Sequence, residues 1–299
     1  MDKLDVQILS ILLDNCRESD RQIGKKIGIS GGAVKTRIQK MQKNKIIEKF
    51  ALRVEPPILG YNVFYIVITG QNQEDILEQV RLVGEPYLIV PCVGGITVCG
   101  IVVKENVEKK IELAKKLMKD VRVLSIFQAE NIELETNFTK TDLEIIEKLV
   151  KNPRERIEDL AKSLKISSKT VTRALEKFEK NNAILFTLVY DPVKLSGYIP
   201  YAIIAGVENL EKMQDKLGKK FSKSFLQKPF LAKNQIVLFM YSDDIYNVDQ
   251  LVQKVRETEG VLSADLFIPK KITFPTKWVT DAIKATKNSK KLHLVYQTH

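Results

Sequence analysis

The chain has 299 residues, with 48 Lys and Arg against 37 Asp and Glu, a formal net charge of +11 and three cysteines. Its length predicts at least two domains, each able to bury a core, and the basic excess favours a polyanionic partner. The cysteines form no CxxC pair, which argues against a disulfide framework and a zinc site and is typical of a reducing compartment. We expect no secretory signal, because helical periodicity starts at once, and no membrane span, because prolines and glycines interrupt the uncharged segment 86–103.

The positive charge is concentrated in three segments. Lys and Arg exceed Asp and Glu by 5 in residues 1–50, by 3 in residues 139–186 and by 6 in residues 270–299. The two segments between them carry −3 and 0. A general solubility charge would be spread over the chain, so this distribution indicates dedicated polyanion-binding surfaces.

Two of the basic segments are copies of one another. An offset of 137 residues pairs Asp5 with Asp142 and Arg17 with Arg154 without a gap, and it also pairs 29–30 with 166–167 and 60–61 with 197–198. A repeat of this length indicates a domain duplication and excludes a solenoid of short units.

Each copy begins with three helical patterns of apolar residues, from Leu4, Ile23 and Val34 in the first copy and from Ile145, Leu160 and Val171 in the second. Ser19 with Gln22, and Thr141 with Glu144, have capping-box spacing. Ser30 and Ser167 are placed to cap the third helices. The connection between the second and third helices is only two residues long, which predicts a helix-turn-helix. Residues 46–54 and 183–190 then predict β ribbons, so each copy is expected to form a winged helix-turn-helix.

The rest of each copy predicts the order βαββαβ. The first copy has strand patterns at 61–69, 87–103 (a pair turning at Gly94 and Gly95) and 121–127, with helices at 73–84 and 105–119. The second copy repeats them as 198–207, 210–220, 225–241, 248–259 and 261–268. This order predicts an antiparallel, ferredoxin-like sheet with two helices on one face. The fold class is therefore α+β, with two winged helix-turn-helix domains, each followed by a βαββαβ domain.

The predicted domain boundaries follow from these patterns. They are 1–58 and 139–194 for the winged helix-turn-helix domains, 59–136 and 195–270 for the βαββαβ domains, and 271–299 for a basic C-terminal extension. In the extension, Trp278 lies on an apolar helical face that we expect to pack on a sheet, while its lysines either add phosphate affinity or are simply solvated.

The residues Leu4-Asp5-x-x-Ile8-Leu9, the segment 20–30 and Leu59-Gly60-Tyr61 resemble the Lrp/AsnC family of transcription regulators. The resemblance covers essentially the whole chain, twice. It implies that each half joins a winged helix-turn-helix to a βαββαβ effector domain, the RAM domain, and that the sheets mediate dimerisation. The chain is similar to two fused protomers, an arrangement associated with archaea. The resemblance further implies a transcription regulator that binds double-stranded DNA, in the cytoplasm and associated with the nucleoid.

The third helix of each copy carries the predicted DNA-binding residues. Its outward face presents Lys, Arg, Thr and Gln, which neutralise phosphates or bind base edges in a major groove. The expected DNA-binding residues are Ser30, Gly32, Lys35, Thr36, Arg37, Gln39 and Lys40 in the first copy, and Ser168, Lys169, Thr170, Thr172, Arg173 and Lys177 in the second. Gly31 and Gly32 are unusual at a helix start, and either a close approach to DNA or a frayed first turn would explain them.

An effector site is the weaker part of the resemblance. In the family, the turn between the second and third strands commonly carries a glycine and an acidic residue that bind small molecules, typically amino acids. Here Gly94, Gly95 and Thr97 keep the glycines without the acid, and residues 233–236 of the second copy lack glycine. A small-molecule effector of unknown identity at this turn and a tight hairpin without a ligand both stay open.

Two other functions are alternatives to a sequence-specific transcription regulator. One is an architectural protein that bridges or bends DNA with little sequence preference. The other is an enzyme, because proteins resembling this family include siroheme decarboxylases. The two histidines, His293 and His299, both lie in the tail, and the chain has no phosphate loop, HExxH or nucleophile elbow. We therefore predict no catalytic residue, no metal and no cofactor. The diverged halves favour pairing within one chain as a pseudo-dimer, and a homodimer or higher oligomer is the alternative.

Overall fold

A computed structural model of the chain describes residues 1–69, 73–104, 106–118, 122–128, 138–180 and 184–288. The first half contains α1 (Lys3–Asp14), α2 (Asp20–Ile27), α3 (Gly31–Lys43), β1 (Ile47–Val54), β2 (Asn62–Thr69), α4 (Gln73–Val83), β3 (Glu85–Pro91), β4 (Ile96–Val103), α5 (Val107–Leu117) and β5 (Arg122–Gln128). The second contains α6 (Lys140–Lys151), α7 (Ile157–Leu164), α8 (Ser168–Lys180), β6 (Ile184–Tyr190), β7 (Ile199–Val207), α9 (Leu210–Phe221), β8 (Phe230–Ala232), β9 (Gln235–Ser242), α10 (Ile245–Arg256) and β10 (Val261–Phe267). Helix α11 (Lys277–Asn288) follows.

Local chemistry sets the helix starts largely as expected. Ser19 and Gln22 form a capping box at α2, and the Ser30 hydroxyl accepts from the backbone N–H of Ala33 at α3. The capping box predicted at Thr141 is wrong, because α6 starts earlier and Thr139 forms the box with Asp142. The offset of 137 residues explains the shift, since Asp142 corresponds to Asp5, which closes the capping box of α1.

The predicted wings do not form within each copy. Strand β1 pairs antiparallel with β6 from Ile47–Tyr190 to Val54–Ile184, and the two make a separate two-stranded sheet. A lone strand leaves both edges of its backbone unpaired, and here each copy pairs one edge of its strand with the strand of the other copy. The two helix-turn-helix units are therefore joined by a shared ribbon, where the sequence pattern predicted one ribbon in each.

The two four-stranded sheets have the same antiparallel topology. Their strand orders are β3-β4-β2-β5 and β10-β7-β9-β8. Both place the first and third strands of the βαββαβ unit at the centre, which is the predicted ferredoxin-like arrangement. Alternate residues of the central strand β2 separate the two faces: Phe64 and Ile66 pack in the cluster under α4 and α5, whereas Tyr65 and Val67 belong to a different cluster.

That other cluster lies between the two sheets and spans both halves of the chain. It contains Tyr65 and Phe127 of the first sheet together with Ile204 and Val237 of the second. The rings of Tyr65 and Phe230 meet edge to face at 5.4 Å. The two sheets thus pack face to face within one chain.

The hairpin turn of each sheet reaches the last strand of the other. The backbone N–H of Val93, in the β3–β4 turn, donates to Ile268 O at 2.9 Å just beyond β10. The backbone N–H of Lys233, in the β8–β9 turn, donates to Gln128 O at 3.1 Å at the end of β5. The reciprocal contacts show an approximate twofold relation between the halves.

The C-terminal extension is structured over its described part. Helix α11 packs against α6, and Trp278 is 3% exposed, with its ring edge to face with Tyr61 and Tyr87. The expected packing of Trp278 is confirmed. Lys287 pairs with Glu147 at 2.6 Å and Lys277 with Asp281 at 2.6 Å, so two of its lysines are neutralised within the protein. His293, His299 and the lysines at 290–291 lie outside the described residues. Within the described ranges, no helix is long and apolar enough to cross a membrane.

Candidate nucleic-acid interface

Two glycines allow the tight crossing of α2 and α3. A Cβ on Gly24 would lie 2.5 Å from Ile29 O, and a Cβ on Gly31 would lie 3.2 Å from the backbone of Arg21. The contact at Gly24 is shorter than real Cβ contacts, so this position requires glycine, whereas a Cβ at position 31 would need a shift of a few tenths of an ångström in the backbone of Arg21. Helix α3 starts at Gly31 behind the Ser30 cap, so its first turn is formed, and a close approach of Gly31 to DNA stays a prediction. Gly32 has open space instead and is exposed, with the nearest contact for a Cβ at 3.9 Å.

The outward faces of α3 and α8 remain exposed. Gly32, Lys35, Thr36, Gln39 and Lys40 are exposed on α3, and Ser168, Lys169, Thr170 and Arg173 are exposed on α8, whereas Thr172 is only partly so. In the described part of the chain, Lys35, Lys40, Lys169 and Arg173 take part in no ion pair. Cations exposed in this way are available to the phosphates or base edges of a duplex.

Short polar side chains on these helices are already hydrogen-bonded within the protein. The Ser30 hydroxyl caps α3, and Thr36 Oγ1 donates to Gly32 O at 3.1 Å. In the second copy, Thr172 Oγ1 donates to Ser168 O at 3.0 Å, and the Thr170 hydroxyl lies 2.8 Å from the Ser167 hydroxyl. These bonds fix the side chains but leave hydroxyl lone pairs free to accept.

Arg37 is turned back onto α1. Its Nη1 donates to Asp2 Oδ2 and to Asp5 Oδ1, each at 2.7 Å. Hydrogen bonds to these carboxylates raise the pKa of the guanidinium, first of all the bond to Asp5. The backbone N–H of Asp5 and the Arg37 side chain together lower the pKa of Asp2. The predicted DNA-binding residue Arg37 therefore joins the recognition helix to the N-terminus of α1.

The second copy holds a different cation in the equivalent place. Residue 174, which corresponds to Arg37, is Ala, and Lys177 Nζ instead binds Asp142 Oδ2 at 2.8 Å and lies 4.9 Å from the centre of the Phe138 ring. Asp5 and Asp142 thus play the same part in the two halves, but each binds a cation from a different turn of its recognition helix. The exposed cations of α3 and α8 consequently form different patterns.

Direct contacts clamp the two helix-turn-helix units together. Arg17 Nη1 donates to Pro153 O at 2.6 Å and Glu155 O at 3.0 Å, and its guanidinium lies 5.5 Å from the centre of the Phe186 ring. Its counterpart Arg154 lies 4.7 Å from the centre of the Phe50 ring. Burial lowers the pKa of Arg17. Sequence reasoning missed this function of the arginines, although their matched positions in the repeat marked them.

The weaker effector prediction falls on a tight turn. Gly94 and Gly95 have φ angles of 81° and 73°, which glycine adopts without strain, and Thr97 is 5% exposed within β4. The turn itself packs against the end of the opposite sheet through Val93. The three residues are thus brought together by a hairpin whose neighbour is the other half of the chain.

The three cysteines are buried in the core. All three are free and buried, and burial raises the pKa of the Cys16 and Cys99 thiols to about 12 and that of Cys92 to about 11. Throughout the described ranges, the structure contains no group of three or more His, Cys, Asp or Glu that could hold a metal ion.

Comparisons with known proteins match both helix-turn-helix units. A model of the AsnC-type helix-turn-helix domain matches residues 1–42, and one of winged helix-turn-helix DNA-binding domains matches residues 138–184. The chain is 30% identical over 127 residues to the HTH-type transcriptional regulator Ptr1 of Methanocaldococcus jannaschii, covering 41% of this chain and 86% of Ptr1. It is 39% identical over 78 residues to the regulator LrpA of Pyrococcus horikoshii, covering 26% of this chain and 55% of LrpA. The chain therefore spans little more than half the length of LrpA.

Two solved structures are similar to this chain at low sequence identity. The siroheme decarboxylase NirDL is similar over 95% of this chain and 100% of its own, with a TM-score of 0.48 and 15% identity. AsnC of E. coli is similar over 46% of this chain and 96% of its own, with a TM-score of 0.32 and 20% identity.

Two helix-turn-helix units with exposed basic recognition helices, each followed by a ferredoxin-like sheet, define a DNA-binding transcription regulator. The matched helix-turn-helix models and the extent of the match to Ptr1 specify it further. The chain belongs to the Lrp/AsnC family of transcription regulators, with the family's two-domain unit present twice.

Proposed function

We propose that this chain is a sequence-specific regulator that presents both recognition helices to one duplex, acting in the cytoplasm on nucleoid DNA. The observation that supports the proposal most directly is the pairing of β1 with β6, because it joins both helix-turn-helix units to one rigid ribbon. Helices held in a fixed relation bind half-sites separated by about one helical turn, or a multiple of it. A single chain would then do what two chains do in a dimeric regulator.

The clamp between the units supports the same proposal. Arg17 and the hydrogen bond from Thr187 Oγ1 to Leu13 O at 2.8 Å connect the first unit to the second at positions remote from α3 and α8. Because these contacts fix the geometry before DNA is bound, the chain loses less conformational freedom on binding than two tethered units would. We therefore expect the two half-sites to be bound as one extended site.

The unequal recognition helices favour an asymmetric operator. Lys35, Gln39 and Lys40 lie on α3, whereas Lys169 and Arg173 lie on α8 at positions that do not correspond under the 137-residue offset. A perfectly palindromic site would match one helix better than the other. We expect the preferred site to have two related but different halves.

The test is DNA selection from a random pool, followed by fluorescence anisotropy at two salt concentrations. Lys35→Ala and Lys169→Ala are compared with Lys212→Ala, an exposed lysine on α9, as the matched control. Each recognition-helix variant should weaken binding to the selected site and reduce the salt slope by about 1 if its lysine neutralises a phosphate, whereas the control should not. Failure to select any sequence, with equal losses on all DNA, would support the architectural alternative and overturn the proposal.

A further inference from the structure

A cavity of about 140 Å³ lies between the two sheets. Its walls are mainly aromatic and aliphatic, with Tyr65 and Phe127 from the first sheet and Val237 and Phe239 from the second. Leu13 of α1 and Thr187 of β6 also line it. The cavity therefore touches both effector domains and the elements that carry the DNA-binding units.

Arg53 is the charged residue among those that line the cavity. It keeps 25% of its side chain accessible, although its neighbours Tyr65 and Tyr87 are buried. Arg53 is paired with Glu55 through a single carboxylate oxygen, which accepts from Nε at 2.9 Å and from Nη2 at 2.8 Å. A guanidinium has five N–H groups, so beyond the two that bind Glu55 and the hydrogen bond shared with the Tyr87 phenol, further N–H groups are available to a group in the cavity.

The phenols beside Arg53 stay neutral. Burial raises the pKa of Tyr65 and of Tyr87 well above the usual value for tyrosine. Gly100 lets the two rings come together, because a Cβ there would lie 3.0 Å from Tyr65 Cε1 and 3.2 Å from Tyr87 Cδ1. The lining around Arg53 thus combines two neutral phenol rings with an arginine that is paired with Glu55.

These features define the size and charge of an occupant. A dry apolar cavity of about 150 Å³ accepts a benzene ring, so this cavity fits one aromatic ring. An anion would add a second buried negative charge beside an arginine that Glu55 already neutralises, and the desolvation cost of that charge would not be offset. A neutral polar group instead can accept a hydrogen bond from Arg53 at no such cost.

We propose that the cavity between the sheets binds a neutral molecule with a single aromatic ring and one hydrogen-bonding group held by Arg53, and that its occupation changes DNA affinity. The binding itself is independent of DNA. The regulatory part rests on the proposed function, and follows because β1, β6 and α1, which position the recognition helices, all supply lining residues.

Binding is tested by ¹⁹F NMR on the full chain with three probes of the same ring size. We expect 4-fluorobenzamide to bind at least tenfold more tightly than 4-fluorobenzoate, because the two differ mainly in charge. Fluorobenzene, which lacks the polar group, should bind about fivefold more weakly than the amide, as expected for the loss of one hydrogen bond. Absence of amide binding, or tighter binding of the benzoate, would overturn the site.

Two filling variants locate the probe. Val237→Phe adds a ring to the cavity wall, and Ala202→Leu is a milder filling change at another lining residue. Either should raise the Kd of 4-fluorobenzamide at least tenfold, and the leucine variant keeps the test decisive where the larger side chain prevents folding. A folded variant that binds the probe as well as the wild type would place the probe elsewhere and contradict the proposal.

Regulation is tested in a separate experiment, which measures the affinity for DNA with and without saturating 4-fluorobenzamide. A change of at least threefold in the wild type, absent in Ala202→Leu, is expected. Unchanged affinity with a bound probe would overturn the regulation but not the site. Absence of sequence-specific binding without any probe would instead overturn the proposed function.

Discussion

Arg37→Ala tests whether this arginine stabilises the first helix-turn-helix unit rather than binding DNA. The variant removes two ion pairs of 2.7 Å, one to Asp5, whose side chain is 13% exposed, and one to Asp2, whose side chain is 55% exposed. An exposed pair contributes about 0.2–1 kcal/mol, and a charged hydrogen bond in a less exposed position contributes more. We therefore expect a loss of about 1–2 kcal/mol in the free energy of unfolding, and a decrease of a few degrees in Tm.

Lys35→Ala is the matched comparison on the same helix. Lys35 is exposed, so its removal should change the free energy of unfolding by no more than about 0.5 kcal/mol. It should instead lower DNA affinity and reduce the salt slope by about 1 if the lysine neutralises a phosphate. Arg37→Ala, measured well below its Tm, should leave the salt slope unchanged.

The pH dependence of stability provides a second check on Arg37. The pKa of Asp2 is lowered in the folded protein from a usual value of 3.8, so its stabilising contribution is present above that value and is lost as the pH falls through the folded pKa. The difference in stability between the wild type and Arg37→Ala should therefore be full at pH 7 and should shrink below about pH 4, when measured by urea unfolding.

The opposite pattern would refute this reasoning. If Arg37→Ala left Tm unchanged at pH 7 but lowered DNA affinity and the salt slope as much as Lys35→Ala, the guanidinium would leave its carboxylates to bind phosphate. The ion pairs with α1 would then contribute nothing measurable to folding.

Three other outcomes follow from the structure. Lys165 ends α7 with a φ of 56°, and Gly28 ends α2 at the equivalent position with a φ of 77°. Because glycine adopts this conformation without strain, Lys165→Gly should stabilise the protein and Gly28→Lys should destabilise it, each by about 1 kcal/mol in urea unfolding. Two changes of the same sign would contradict the strain argument. Arg17→Ala leaves two backbone carbonyls without their donor and should lower the free energy of unfolding by about 2 kcal/mol. Arg154→Ala removes an ion pair that spans 3.9 Å and should lower it by less than about 1 kcal/mol. The reverse order would show that Arg17 does not hold the two units together. Burial raises the pKa of Cys16 to about 12 and that of the other two thiols similarly, so a disulfide reagent at pH 8 should react only as fast as the protein unfolds; a rapid reaction in native buffer would mean that the thiols are accessible.

Periodicity and repetition in the sequence determine much of the architecture of this protein. The 137-residue offset established the duplication, helical spacing located α1 to α3 and α6 to α8, and strand patterns gave the βαββαβ order. These features depend on neighbours close in sequence, where the period of side-chain direction fixes which face is apolar. The exposed basic faces of α3 and α8 were visible for the same reason.

Contacts between residues distant in sequence were decided only in the tertiary structure. Strands β1 and β6 have the pattern of ribbons, but a pattern does not identify the partner of a strand, and each pairs with the other copy. The helical spacing of Arg37 predicts a side chain that points outward. Its long side chain nevertheless turns back to Asp5 and Asp2, and helical spacing does not predict which direction a long side chain takes. The sequence thus determined that the two-domain unit is duplicated and which segments carry the positive charge. The tertiary structure decided which cations remain exposed, because their partners come from other elements of the chain.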